Sequence, residues 1–173
     1  MSNASLEVKP SGPNLPPMPG APENWRRFFS FSTDHKVIGI QYIVTAFIFF
    51  LFGGLLAMVM RGELITPESD LVNRTVYNGL FTMHGTIMLF MWTFPMLNGL
   101  ANYLVPLQIG ARDMAFPRLN AAAFWMVPVF GVILISSFFV PGGPSQSGWW
   151  AYPPVSLQNP TGNLLNGQAL WLL

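Results

Sequence analysis

The chain has 173 residues, of which 51% are hydrophobic and only 9% are charged. A soluble globular domain normally carries about 25% charged residues, so this composition excludes an ordinary water-soluble domain and indicates a membrane protein. The formal net charge of +1 gives no electrostatic reason to expect a nucleic acid partner. The lack of cysteine excludes disulfides, thiol catalysis and cysteine-ligated zinc within these residues.

Residues 1–24 precede the first apolar segment and are rich in Pro, Gly, Ser and Asn. This composition predicts a flexible tail, and the tail lacks the apolar stretch of a cleaved signal peptide. Residues 25–27 (WRR) predict an anchor at the membrane surface, and residues 32–35 (STDH) predict a helix cap. The first predicted span follows at residues 37–60, which carry no charge and are long enough to cross a bilayer.

Two further spans are predicted at residues 76–105 and 120–140, and the segment from Gly167 predicts the start of a fourth. Pro95 lies within the second span and should kink it. The predicted fold class is therefore an all-α membrane protein, a partial transmembrane helix bundle of three spans plus the beginning of a fourth. Because a helix broken so soon after its start would leave backbone groups unpaired in lipid, we expect a longer chain in nature.

The basic residues are divided unequally between the two ends of this predicted bundle. One end carries Lys9, Arg26, Arg27, Lys36, Arg112 and Arg118. The other end carries only Arg61 and Arg74. The positive-inside rule therefore places the N-terminus in the cytoplasm. His84 then lies about 12 Å below the outer surface, and Asp113 lies at the inner surface.

His84 is the only residue of the second predicted span that titrates near neutral pH. A histidine among apolar side chains in lipid is costly and is usually functional. Neutral imidazole commonly binds metals and serves as an axial ligand of haem iron, and Gly85 beside it would let a flat cofactor approach. The alternative is a hydrogen bond from His84 to a Ser or Thr of a neighbouring helix. The residues alone leave both open.

Arg61 and Glu63, at the outer end of the first span, are further candidates. The Arg61 guanidinium could bond a carboxylate or carbonyl of a cofactor, or could simply anchor the span at the interface. Glu63 could bind a hard cation together with backbone carbonyls. His35 and His84 are the only histidines, so the chain cannot form a multi-histidine copper or zinc site by itself.

Asp113 lies in the loop after the second span, between two arginines. Such a carboxylate ordinarily forms a surface ion pair. Three asparagines nearby, Asn98, Asn102 and Asn120, could instead order water molecules that lead inward from it.

Five segments carry a family resemblance by their sequence, order and spacing. They are STDHKVIG (32–39), RGEL (61–64), MHGTIMLF (83–90), NYLVPLQIGARDMAFPRLNAAAFW (102–125) and SGWWAYPP (147–154). Together they closely resemble subunit I of the haem-copper cytochrome c oxidases, from about Trp25 to the last residue. The resemblance implies a terminal oxidase of a bacterial respiratory membrane, which couples electron transfer from cytochrome c to oxygen with proton pumping.

The resemblance implies cofactor roles for four residues of the outer half. His84 matches the helix-II axial ligand of the low-spin haem a, and Arg61 matches the arginine that bonds the formyl group of that haem. Trp149 matches a tryptophan near the haem propionates, and Glu63 matches a ligand of a structural calcium or sodium ion. The high-spin haem, copper and their ligands are implied only for the complete subunit, so no catalytic residue is implied in this chain.

The resemblance also implies a proton pathway at the inner end. Asp113 matches the entrance carboxylate of the D pathway, and Asn102 and Asn120 match its ordered amides. His35 and Tyr42 match residues near the mouth of that pathway. The orientation derived from the basic residues is independent of the resemblance and agrees with it.

Two alternatives remain beside this reading. Quinol oxidases of the same superfamily resemble a pattern with His eight residues and Gln five residues before the haem ligand. Val76 and Gly79 occupy those positions here, which favours cytochrome c as the donor. A non-catalytic membrane or pigment-binding fragment is the other alternative. The leading reading implies the lipid bilayer, oxidase subunits II and III, and cytochrome c as partners.

Overall fold

The computed structural model describes residues 25–157 and 166–172, so the predicted tail at residues 1–24 lies outside the described residues. Three helical spans in the described part are long and apolar enough to cross a membrane: His35–Glu63, Arg74–Gln108 and Pro117–Phe139. The predicted all-α fold with three spans is therefore confirmed. A further short helix begins at Gly167, the position predicted for the start of a fourth span.

The first span is helix α1 (His35–Glu63), which begins at the predicted cap. Asp34 is the N-cap residue, and its carboxylate accepts a hydrogen bond from the backbone N–H of Lys36 at 2.9 Å. This bond satisfies one of the backbone donors that every helix leaves unpaired in its first turn. A short 3-10 helix at Trp25–Phe29, the predicted surface anchor, precedes α1.

The second span consists of α2 (Arg74–Thr86), a π-helical stretch (Ile87–Thr93) and α3 (Phe94–Gln108). Pro95 lies in the first turn of α3, directly after the π-helical stretch. Proline has no N–H, and its ring collides with the carbonyl four residues earlier, so α-helical pairing cannot continue through it unchanged. The predicted disturbance at Pro95 thus takes the form of wider helical turns on its N-terminal side.

Helix α1 packs along the whole second span. Helix α4 (Pro117–Ser136), in the third span, contacts α1 and the π-helical stretch. The backbones of α1 and α3 approach most closely at two glycines. A Cβ added to Gly39 would lie 3.0 Å from the backbone oxygen of Gly99. The main buried apolar cluster joins all three spans through Phe49, Leu56, Leu80, Met83, Ile87, Met91 and Leu134.

Gly131 of α4 packs on the ring of Phe49 of α1, and a Cβ at this position would overlap that ring. We expect Gly131→Ala in the full-length protein to lower stability by about 1–3 kcal/mol, the usual range for overpacking. The midpoint of thermal inactivation in detergent measures this loss. Gly54→Ala is the matched control, because no described atom outside the adjoining backbone of α1 and the two flanking residues lies within 4 Å of its added methyl group. Equal midpoints for the two variants would contradict the expectation.

Candidate functional site

His84 occupies the last turn of α2 and is half-buried. Its Nδ1 atom lies 2.9 Å from the backbone carbonyl oxygen of Gly53 on α1. A carbonyl oxygen can only accept a hydrogen bond, so Nδ1 must carry the proton and donate. The imidazole is thereby held as the tautomer whose Nε2 lone pair is available for a ligand.

His84 contacts α1 at Gly53, where the first two spans pack closely. A Cβ on Gly53 would lie 2.9 Å from Sδ of Met88 and 3.2 Å from Cγ2 of Ile87, so these two side chains would have to shift to admit it. The partner of His84 is therefore a backbone carbonyl, rather than the Ser or Thr side chain of the alternative reading. This bond leaves the second ring nitrogen free for chemistry.

The loop after the third span covers α2 next to His84. The backbone N–H of Gly148 donates to Oγ1 of Thr82 at 3.0 Å, and Nε1 of Trp149 donates to Oγ1 of Thr86 at 3.1 Å. Nε1 of Trp149 would lie only 3.9 Å from a Cβ on Gly85. The structure thus places Trp149 beside the residue that follows His84.

Arg61 and Glu63 lie at the end of α1 on the same side of the bundle as the start of α2. Arg61 is exposed and follows Gly53 by about 12 Å of helix rise, so the structure does not bring its Cα into the immediate surroundings of His84. Oε2 of Glu63 accepts the backbone N–H groups of Leu71 at 2.8 Å and Val72 at 3.0 Å. Glu63 therefore orders the connection between the first two spans.

Glu63 does not belong to a cluster of metal-ligating side chains among the described residues. Within residues 25–157 and 166–172, no three His, Asp or Glu side chains come together as a metal-binding group. A cation at Glu63 would therefore need backbone carbonyls or groups from other segments as its remaining ligands.

Three of the residues predicted for the inner end meet in one buried network. Nδ1 of His35 lies 3.0 Å from the backbone oxygen of Asn102, again as a donor to a carbonyl. The side-chain amide of Asn120 donates to Oδ1 of Asn102 at 2.7 Å, and the amide of Asn102 donates to the backbone oxygen of Asn98 at 2.8 Å. These bonds join the first, second and third spans through polar groups.

Asp113 and Tyr42 flank this network without bonding to it. Asp113 is exposed in the loop between α3 and α4, and its Oδ1 accepts the backbone N–H of Met114 at 2.8 Å. It lines an open pocket of about 490 Å³ together with Thr33 and Phe116. Tyr42 is buried on α1, where its ring meets that of Phe124 edge to face at 5.1 Å.

The sequence interpretation missed three residues that shape the surroundings of His84: Gly53, Thr82 and Thr86. These positions act through a backbone carbonyl and two uncharged hydroxyls, which stand out less in a sequence than an ionisable side chain does. A signal was present, because Thr82 and Thr86 are polar residues placed two before and two after His84 in an apolar stretch.

Comparison with known proteins decides the family. The family model described as cytochrome c and quinol oxidase polypeptide I matches residues 37–173. The chain belongs to this family. The resemblance to subunit I of the haem-copper oxidases is thus confirmed, and with its three spans this oxidase polypeptide is an integral membrane protein.

Curated relatives of this oxidase polypeptide carry the name cytochrome c oxidase subunit 1. One from Synechocystis is 54% identical over 149 residues, which cover 86% of this chain and 26% of the relative. One from Thermostichus vulcanus is 53% identical over 161 residues, covering 92% of this chain and 28% of the relative. A probable subunit 1-beta from Nocardia farcinica is 42% identical and covers this whole chain, but 30% of the relative. The chain therefore spans between a quarter and a third of these relatives.

Proposed function

We propose that this chain is the N-terminal part of subunit I of a terminal respiratory oxidase, which couples electron transfer from cytochrome c to oxygen reduction with proton pumping. The observation that carries the proposal is the hydrogen bond between His84 and Gly53. It gives the histidine of the second span the form in which an imidazole binds haem iron. The chain contributes a haem ligand and a proton entrance, while the catalytic residues belong to later segments.

His84 fits a low-spin haem for reasons present in this chain. Its Nδ1–H is held by the Gly53 carbonyl, which orients the ring and raises the basicity of Nε2. Gly85 offers no Cβ, and the indole of Trp149 lies against this side of α2, next to His84. The haem supplies reversible one-electron chemistry when bound. Its second axial ligand, the high-spin haem and copper are assigned to the complete enzyme.

Three further residues have roles in the proposed function. Arg61, whose guanidinium is exposed and unpaired among the described residues, donates hydrogen bonds to the haem formyl group. Trp149 lines the side of the site near the haem propionates. Glu63 is a ligand of a structural calcium or sodium ion through the oxygen that does not accept the loop amides.

The inner network is proposed to be the first part of the D proton pathway. Asp113 is exposed at its mouth, so its carboxylate can exchange protons with bulk water. The bonded amides of Asn102 and Asn120 present fixed donors and acceptors to water, and His35 and Tyr42 border the same region. With the N-terminus in the cytoplasm, this mouth opens to the side from which protons are taken up.

The proposed assembly also includes the lipid bilayer, subunits II and III, and cytochrome c as electron donor. Copper that receives electrons from cytochrome c is assigned to subunit II. The exposed apolar side chains of the spans, such as Ile48, Leu55 and Val132, suit contact with lipid or further helices.

Oxygen uptake by the purified full-length complex separates the possible functions. We expect uptake with reduced cytochrome c and none with a quinol alone, because Val76 and Gly79 lack the quinol-binding pattern. Uptake with quinol but not with cytochrome c would instead establish a quinol oxidase. A complex with neither uptake nor a haem spectrum would support the non-catalytic, pigment-binding alternative.

A further inference from the structure

Thr86 has a hydroxyl whose hydrogen-bonding capacity is completely used. Its oxygen accepts Nε1–H of Trp149 at 3.1 Å and Nε1–H of Trp171 at 2.9 Å. The hydroxyl itself donates to the backbone oxygen of Thr82 at 2.8 Å. A threonine hydroxyl offers one donor and two acceptor positions, so these three bonds saturate it.

The two indoles that meet at Thr86 come from different parts of the chain. Trp149 lies in the loop after the third span, and Trp171 lies in α5 (Gly167–Leu172), at the start of the next helix. Thr86 is 6% exposed, so an indole N–H that lost this oxygen would have little access to water as a replacement. One hydroxyl of the second span thus anchors two later segments at a single point.

This anchoring point adjoins the proposed haem ligand. Trp149 reaches Thr86 across Gly85, the residue between His84 and Thr86, and its ring also packs against Phe90 at 5.4 Å between centroids. The direction of the Trp149 N–H bond is therefore set by Thr86, although nothing joins Thr86 to His84 directly.

We propose that Thr86 is a positioning residue, whose hydroxyl holds the indoles of Trp149 and Trp171 and so determines the orientation of the indole wall beside His84. The inference rests on the proposed function only in the part of the test that measures the haem absorption band. Without the hydroxyl, both indole N–H groups lose their acceptor and the Trp149 ring loses its fixed orientation, which changes the electric field at the bound haem.

The test uses the full-length oxidase with Thr86→Val, which keeps the shape of the side chain and removes the hydroxyl. Ultraviolet resonance Raman spectra should show two indoles changing from hydrogen-bonded to free N–H, assigned with Trp149→Phe and Trp171→Phe. The low-spin haem band in reduced-minus-oxidised spectra should shift in wavelength while keeping its intensity. Thr86→Ser should restore both signals, because it returns an oxygen to the same place.

Thr93→Val is the matched control, since within residues 25–157 and 166–172 the Thr93 hydroxyl bonds only the Met88 carbonyl of its own helix, at 2.8 Å. It should change neither the indole nor the haem signals. Unchanged indole signals in Thr86→Val would overturn the proposal, and so would changed indoles beside an unshifted haem band. If Thr86→Val fails to assemble, Trp149→Phe must shift the band by itself, and an unshifted band then overturns the proposal.

The result can be separated from a failure of the proposed function. If His84 does not bind haem, His84→Ala keeps a normal haem spectrum. The Raman signals of Thr86→Val report the two indole bonds in either case, because they arise from Trp149 and Trp171 themselves.

Discussion

Replacing His84 by alanine in the complete enzyme is expected to abolish the low-spin haem a absorption. The imidazole is one of two axial ligands in the proposed site, and alanine provides no atom that could take its place. Low-temperature reduced-minus-oxidised spectra of the purified enzyme measure the loss. A normal low-spin spectrum in this variant would disprove the assignment of His84 as a ligand.

His35→Ala is the matched control for this experiment. His35 is also a histidine whose Nδ1 donates to a backbone carbonyl of another span, that of Asn102. It lies at the opposite end of α1 from Arg61, at the first residue of that helix. We expect its loss to leave the low-spin haem absorption intact, so that a spectral change specific to His84 cannot be ascribed to the removal of an interhelical bond.

Replacing Asp113 by asparagine is expected to lower proton pumping and turnover without loss of haem. The amide has nearly the same shape as the carboxylate, but it cannot take up and release a proton at neutral pH. Because proton transfer by a positioned group typically contributes about 10²–10⁴-fold, we expect turnover to fall by at least about ten-fold. Proton release from reconstituted vesicles and the haem content of the same preparation measure the two quantities.

Asp34→Asn is the control for Asp113→Asn. Asp34→Asn removes one negative charge at the same end of the bundle, as Asp113→Asn does. The Asp34 carboxylate, however, caps α1 by accepting a hydrogen bond from the Lys36 N–H. Asparagine is an equally good N-cap residue, so this variant should keep normal turnover and pumping. Full pumping in Asp113→Asn, or an equal loss in both variants, would refute a specific role of Asp113.

The spans could be predicted because their signal is local: long uncharged stretches closed by Arg61, by the loop after Gln108 and by Pro141. The π-helical form of the turns before Pro95 could not be predicted, because proline dictates only that the backbone hydrogen bonding of the helix must change there. The hydrogen bond of His84 was not predictable in detail either. Its partner is a carbonyl, which every residue has, and only the approach of two helices at Gly53 selects that one.

The contacts of the candidate site also include some that the sequence predicts and some that it does not. The meeting of Asn102 and Asn120 follows from an ordered set of polar residues near one loop, which the sequence displays. The role of Thr86 depends on Trp171, 85 positions further along the chain, and no local pattern connects the two. Contacts of this kind are decided by how the elements fold together.

The π-helical stretch at Ile87–Thr93 changes the direction in which side chains at the two ends of the second span point relative to each other. His84 and Asn102 are 18 positions apart, which is about five turns of an uninterrupted α-helix, so both would point in one direction. The wider turns introduce an angular offset between the two halves. His84 can therefore face Gly53 of the first span while Asn102 also reaches Asn120 of the third. Removing one residue from the stretch would rotate one half by about 100° against the other, so His84 and Asn102 could no longer both reach these partners.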